Sequence, residues 1–196
     1  MNISELQTGD ILLCSGTDCI SRAIEYFTGS KISHVAMVLR NPHYINKSLN
    51  EFCVLQSTIT RNLDLDDKIK KSGVQIISLD ELLSEYKTIY VRRLLINKNR
   101  EFYDNIKDIY FSVKNKPYDT NLLDWLKADL NIHSGNETKD NSFWCSALLT
   151  YIYIKLKLLY KYTNWTTVKP SQFSSNDKNK LIFINCIIEN DILLKY

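Results

Sequence analysis

From Phe143 to Leu159 the chain is apolar on nearly every side, with Leu148, Leu149, Ile152, Leu156 and Leu159 on one flank and Tyr151, Tyr153 and Ile154 over much of the rest. A helix of this kind has no solvent face to offer and must sit at the centre of whatever the chain builds. Lys155, Lys157 and Lys161 interrupt it well short of the roughly 20 residues a membrane span needs, so it reads as a core helix. Its first turn carries a thiol, Cys145, in Ser142-Phe-Trp-Cys-Ser-Ala-Leu-Leu. A helix N-terminus concentrates partial positive charge and free backbone N–H groups, which favour thiolate over thiol and can hold a developing oxyanion. A nucleophilic cysteine belongs in that position.

The remaining pattern alternates strands and helices. Gly9-Asp10 is a tight turn feeding a strand through Ile-Leu-Leu-Cys, and residues 17–28 show helical spacing at Ile20, Ala23, Ile24 and Phe27. Two strands are expected at Ser33 to Leu39 and Phe52 to Thr58; in the first, His34, Ala36 and Val38 share one face. Asn62 to Ser72 is charged and reads as a loop or short surface helix, and Gly73 introduces a further strand over Val74-Gln-Ile-Ile. Ser78 and Glu81 form a capping box for a helix through Glu85. A β-branched strand follows over Thr88 to Leu95, then a helix over Asn99 to Val113 with Phe102, Ile106, Ile109 and Val113 on one stripe, ended by Asn115-Lys-Pro-Tyr-Asp. His133 to Asn141 is a polar loop, Pro170-Ser-Gln-Phe a turn, and Leu181 to Ile188 the last strand. The order predicts an α+β fold with a mostly antiparallel sheet, and 196 residues without a linker predict one domain over 1–196.

Composition narrows the function. A net charge of +3 with both signs interspersed argues against nucleic-acid binding. The N-terminus has neither the basic, apolar and small-residue pattern of a secretory signal nor a Met-Gly start, which points to a cytoplasmic, intracellular chain. The five cysteines (14, 19, 53, 145 and 186) are odd in number, and four of them sit in or beside apolar runs, as reduced core thiols do. No Cys-x-x-Cys occurs and His34, His43 and His133 lack ligand spacing, so neither a metal nor another cofactor is expected.

A cysteine hydrolase needs a thiolate, an imidazole that takes and later returns its proton, and a group that fixes the imidazole's tautomer. Cys145 and His34 suit the first two roles, and Gln56 in Val54-Leu-Gln-Ser-Thr can offer an amide oxygen to the far ring nitrogen if the two strands pair. Tyr118 and Asp119 are placed to shape a substrate cleft, with Tyr118 the candidate substrate contact. Each residue also has an ordinary use. Buried cysteines at helix starts fill core space, strand histidines serve as hydrogen-bonded scaffold, and Pro-Tyr-Asp makes a good turn. Spacing does not choose between the two.

At these residues the chain resembles the circularly permuted branch of the NlpC/P60 papain-like superfamily, in its bacterial and large-DNA-virus members. The matching pieces are Leu6-Gln-Thr-Gly-Asp-Ile-Leu, Ser33-His-Val-Ala-Met-Val, Val54-Leu-Gln-Ser-Thr, Gly73-Val-Gln-Ile-Ile-Ser-Leu-Asp, Lys116-Pro-Tyr-Asp, Phe143-Trp-Cys-Ser-Ala-Leu and Lys169-Pro-Ser-Gln-Phe, in the family's order. The resemblance implies Cys145 as nucleophile, His34 as base and Gln56 as the polar third member, acting on peptide, isopeptide or lipid acyl bonds. A viral origin would place the chain in a host cell or virion. Gln56 departs from relatives that carry an acidic residue in a Glu-Ser-Thr-like context, and Phe-Trp-Cys-Ser-Ala does not match the Asn-Cys-Glu-His-type signature of lecithin:retinol acyltransferase-like relatives. Three readings follow: a thiol hydrolase of amide or ester bonds, an acyltransferase or phospholipase at a membrane surface, and a catalytically silent binding module. The oligomeric state is left open.

Overall fold

The computed structural model describes residues 2–16, 29–49, 51–119 and 142–195. Six strands form one antiparallel sheet: β1 (Ile11–Ser15), β2 (His34–Arg40), β3 (Phe52–Leu63), β4 (Lys70–Ser78), β5 (Thr88–Arg92) and β8 (Ile192–Lys195), in the spatial order β4-β3-β2-β1-β5-β8. Two short strands, β6 (Leu94–Leu95) and β7 (Ile187–Ile188), pair separately. Among the described residues three α-helices complete the frame: α1 (Leu79–Glu85), α2 (Arg100–Val113) and α3 (Cys145–Lys155). This is the α+β arrangement the element order predicts.

The central strands are apolar on both faces because both faces are covered. Leu13, Val35, Met37, Leu55, Val74 and Ile76 turn toward one cluster that includes Phe102, Ile106 and Tyr110 of α2 and Leu148, Leu149 and Ile152 of α3. Leu12, Ala36, Val38, Val54, Ile77, Ile89 and Val91 turn the other way, onto Leu79 and Leu82 of α1. Each large aliphatic side chain so enclosed contributes roughly 1.5–3 kcal/mol relative to exposure. Eight of the eleven residues of α3 are buried, as its all-round apolar sequence requires. Its one large buried polar side chain is satisfied across the fold, the Tyr153 hydroxyl donating to the Gly9 carbonyl at 2.6 Å.

Three expectations need correction. Residues 62–72 are neither loop nor helix throughout: β3 and β4 continue into a long hairpin with Asn62 opposite Lys71 and Leu63 opposite Lys70. Its turn is tied by charge, since Asp64 takes an ion pair from Lys71 at 2.5 Å and hydrogen bonds from the Asp66 and Ile76 amides. The last strand is not 181–188; only Ile187–Ile188 pair there, and the strand that completes the large sheet is β8. Finally, α3 stops at Lys155 rather than running to Leu159. Lys157 takes a left-handed conformation (φ 60°), and the Leu158 and Leu159 amides both donate to the Tyr153 carbonyl, which folds those leucines back into the core. The expected helix over 17–28, Cys19, and the loop with His133 lie outside the described residues.

Candidate active site

Cys145 opens α3 with its backbone entry held from three directions. The Phe143 amide donates to the Pro117 carbonyl at 3.1 Å, its carbonyl accepts from the Asp119 amide at 3.3 Å, and the Ser57 hydroxyl donates to that same carbonyl at 2.5 Å. Trp144 occupies the helix N-cap in an extended conformation and supplies no side-chain cap. The first-turn N–H groups, which a Ser, Thr or Asp would ordinarily satisfy, therefore point toward the sulfur's surroundings without a capping oxygen. That is an anion-holding arrangement built from main chain.

The thiol itself is 2% exposed. Burial pushes it up to about 11, against the backbone N–H groups of Val35, Ser146 and Cys145 and the Ser146 hydroxyl, which all favour the thiolate. The expected effect of the helix terminus is thus present, but in this closed state desolvation exceeds it. The Val35 contact also fixes where Cys145 lies. Val35 follows His34 on β2, so the sulfur reaches the main chain one residue from the imidazole.

His34 stands at the start of β2, opposite Cys14 in the register with β1, and is 6% exposed. The Ser33 amide, donating to the Cys14 carbonyl at 3.0 Å, anchors the chain just ahead of it. Pairing of β2 with β3 runs from Arg40 opposite Phe52 to Met37 opposite Leu55; Gln56 is the next residue along β3, on the sheet face His34 shares. Across this gap His34 Nε2 lies 2.8 Å from Gln56 Oε1. With the amide oxygen as acceptor, Nε2 carries the proton and Nδ1 is left to take one. Tyr86, directly after α1, stacks on the imidazole with centroids 5.3 Å apart and planes 7° from parallel. The ring is held at its edge and on its face.

Tyr118 lies in the same neighbourhood. It forms a parallel bridge with Phe143, and burial, reinforced by the negative charges of Cys145 and Asp119, pushes its phenol well above the ordinary range. The strap that carries it is held by Gly73: the Val74 amide donates to the Lys116 carbonyl at 2.9 Å, and a Cβ on Gly73 would meet the Pro117 backbone at 2.8 Å. Three contributors are not among the residues the sequence singles out: Tyr86, Ser57 and the Val35 amide. Only Ser57 has a signal, as the neighbour of Gln56; backbone amides and stacking partners leave none.

Among the described residues no group of three or more His, Cys, Asp or Glu gathers closely enough to hold a metal ion. Among the described residues Cys14, Cys53, Cys145 and Cys186 form no disulfide.

An antiparallel sheet whose early strand supplies a histidine, and against which a later helix sets a cysteine at its N-terminus, is a papain-like frame with its halves exchanged in order. The chain belongs to the permuted papain-like amidase family YaeF/YiiX, the C92 peptidase family, whose sequence profile matches residues 5–190. Among solved structures it is similar to the crystal structure of metalloprotein yiiX from Escherichia coli O157:H7, at 21% identity and a TM-score of 0.51 over 75% of this chain. The match spans 64% of that protein's length, and at this identity the likeness concerns the fold. Comparison with curated proteins gives no significant match.

Proposed function

We propose that the protein cleaves an amide bond, peptide or isopeptide, through an acyl-cysteine intermediate, with Cys145 as nucleophile, His34 as base and then acid, and Gln56 as the group that orients the imidazole. The single observation that carries this reading is the 2.8 Å contact from His34 Nε2 to Gln56 Oε1, on a strand whose next residue, Val35, turns its amide to the Cys145 sulfur. On this reading the protein sits in the wider NlpC/P60 group.

His34 Nδ1 accepts the Cys145 proton, and the thiolate attacks the carbonyl carbon, forming the S–C bond and pushing the carbonyl electrons onto oxygen. The N–H groups of Cys145 and Ser146 hold that oxyanion. As it collapses, the C–N bond breaks and the imidazolium returns the proton to the departing nitrogen. Water, deprotonated by the same ring, then attacks the thioester carbon; the S–C bond breaks, freeing the carboxylic acid and the thiol. Gln56 carries no charge, so it fixes the tautomer without the electrostatic support a carboxylate lends to an imidazolium. Ester substrates would follow the same path with an alkoxide leaving.

The test is turnover of fluorogenic peptide, isopeptide and acyl-ester substrates, with intact-mass detection of an acyl adduct. An adduct on the parent chain that is absent from a folded Cys145→Ala variant supports the reading. Turnover that survives Cys145→Ala, or no turnover and no adduct with any substrate class, overturns it, the latter outcome favouring a silent binding module.

A further inference from the structure

The charge of this protein is unevenly placed. Residues 142–188 contain six lysines (155, 157, 161, 169, 178 and 180) and a single acid, Asp177, so this quarter of the chain holds more positive charge than the +3 of the whole, and the rest is slightly acidic. Lys155, Lys157, Lys161 and Lys178 are exposed, and among the described residues no carboxylate pairs with any of them. No arginine occurs in the stretch.

The same stretch exposes its large apolar groups. Tyr160 and Tyr162 stack on one another at 5.1 Å with 39% and 76% exposure, and Ile182 and Ile187 are 71% and 66% exposed. These belong to one part of the surface. The Ile184 amide donates to the Leu158 carbonyl and the Asn185 side chain to the Lys157 carbonyl, both at 2.9 Å, which lays residues 182–187 beside the lysine segment. Ile187 is in turn paired with Leu95, itself 42% exposed.

Exposed lysines on segments that also expose tyrosines and isoleucines meet the two requirements of an anionic bilayer surface: ammonium groups for the phosphate and carboxylate headgroups, and amphipathic or aliphatic side chains that enter the headgroup layer. A nucleic acid fits less well. Its phosphates would suit the lysines, but protruding isoleucines have nothing to gain there, and the Tyr160 and Tyr162 rings already spend one face on each other. We propose that the face built by residues 155–162 and 182–187 docks the protein on membranes rich in anionic phospholipid. The docking does not depend on which bond the candidate active site cleaves.

The test is co-sedimentation of the full chain with phosphatidylcholine vesicles and with vesicles of phosphatidylcholine and phosphatidylserine in a 7:3 ratio. Binding is expected only to the second, and is expected to fall steeply as salt is raised from about 0.05 to 0.5 M. The triple variant Lys155→Gln/Lys157→Gln/Lys161→Gln is expected to lose about a hundredfold in partitioning, and Tyr160→Ser/Tyr162→Ser several-fold, with unchanged circular dichroism and melting. Cys145→Ala is expected to bind as the parent does, so loss of hydrolysis and loss of docking are read separately. Equal binding to both vesicle types, no binding to either, or undiminished binding by the folded triple variant overturns the proposal. So does an oligonucleotide that binds more tightly than the anionic vesicles and competes for the same lysines.

Discussion

His34 Nε2 and Gln56 Oε1 are 2.8 Å apart, although 22 residues separate them, because β2 and β3 pair antiparallel and place both side chains on one face of the sheet. The contact decides which ring nitrogen is protonated, and so which one can serve a thiol. Among the described residues it also leaves Gln56 Nε2 buried without a hydrogen-bond partner. A glutamine placed only for packing would not be expected to leave a donor so, since an unsatisfied buried group costs about 1–3 kcal/mol.

Replacing Gln56 with Leu is therefore expected to lower kcat by about 10²-fold, because the imidazole then loses the acceptor that fixes its tautomer. Gln56→Glu is expected to retain activity but to move the acid limb of its profile to higher pH, since a carboxylate beside the ring stabilises the imidazolium and Nδ1 must be free to take the thiol proton. A pH–rate profile of both variants checks this, and a Gln56→Leu enzyme with parental kcat and profile would remove Gln56 from the mechanism.

Burial holds the Cys145 thiol up to about 11 from an ordinary value of 9.0. Below pH 9 the folded and unfolded chains are both protonated here, and the group has no effect on the pH dependence of stability. Between pH 9 and 11 the unfolded chain sheds the proton while the folded one keeps it, so stability falls as pH rises, by ~2–3 kcal/mol for this group. Cys14, likewise pushed up by burial, adds a loss of the same sign. Urea midpoints measured from pH 7 to 11 should fall less steeply for Cys145→Ala than for the parent.

The sheet and its central helix are legible in the sequence because apolar residues on both faces of β2 and the all-round apolar character of α3 leave few ways to bury those side chains. His34, Gln56 and Cys145 are legible as residue types, at a strand start, within the next strand and at a helix start. The contact between His34 and Gln56 is not, since it depends on strand pairing, which local patterns do not encode. The hairpin over 62–72 is hidden because its strands are charged. Its extended form comes from the Asp64–Lys71 ion pair across the turn and the pairing of β3 with β4, neither of which the run of charges reveals. The uncapped helix start is visible as Trp144, but the pressure of burial on the thiol is not, because it needs the whole core around it.

Ser57 ties the strand that carries Gln56 to the entry of the cysteine helix. Its hydroxyl is buried, and the Phe143 carbonyl it reaches at 2.5 Å keeps a second donor in the Asp119 amide. Ser57→Ala should therefore cost about 1 kcal/mol of stability rather than the larger penalty of an orphaned carbonyl. Because Phe143 sits two residues before Cys145, kcat is expected to fall several-fold with KM little changed. Thermal melting together with steady-state kinetics separates the two effects.

Gly73 lies inside β4 with φ at 96°, where an L side chain is strained, and the 116–117 backbone crosses directly over it. A Cβ there would stand 2.8 Å from the Pro117 carbonyl carbon and Cα, and backbone cannot give way as a flexible side chain does. Gly73→Ala thus combines left-handed strain with a collision, and is expected to destabilise by about 1–3 kcal/mol. The strap it would displace holds Tyr118 against Phe143, the segment that leads into Cys145. Activity should therefore fall by more than the loss of folded protein accounts for. Gly29, also at positive φ but with no atom of the described residues within 4 Å of where a Cβ would stand, provides the control: Gly29→Ala carries the backbone strain and should leave the kinetics of the folded fraction unchanged.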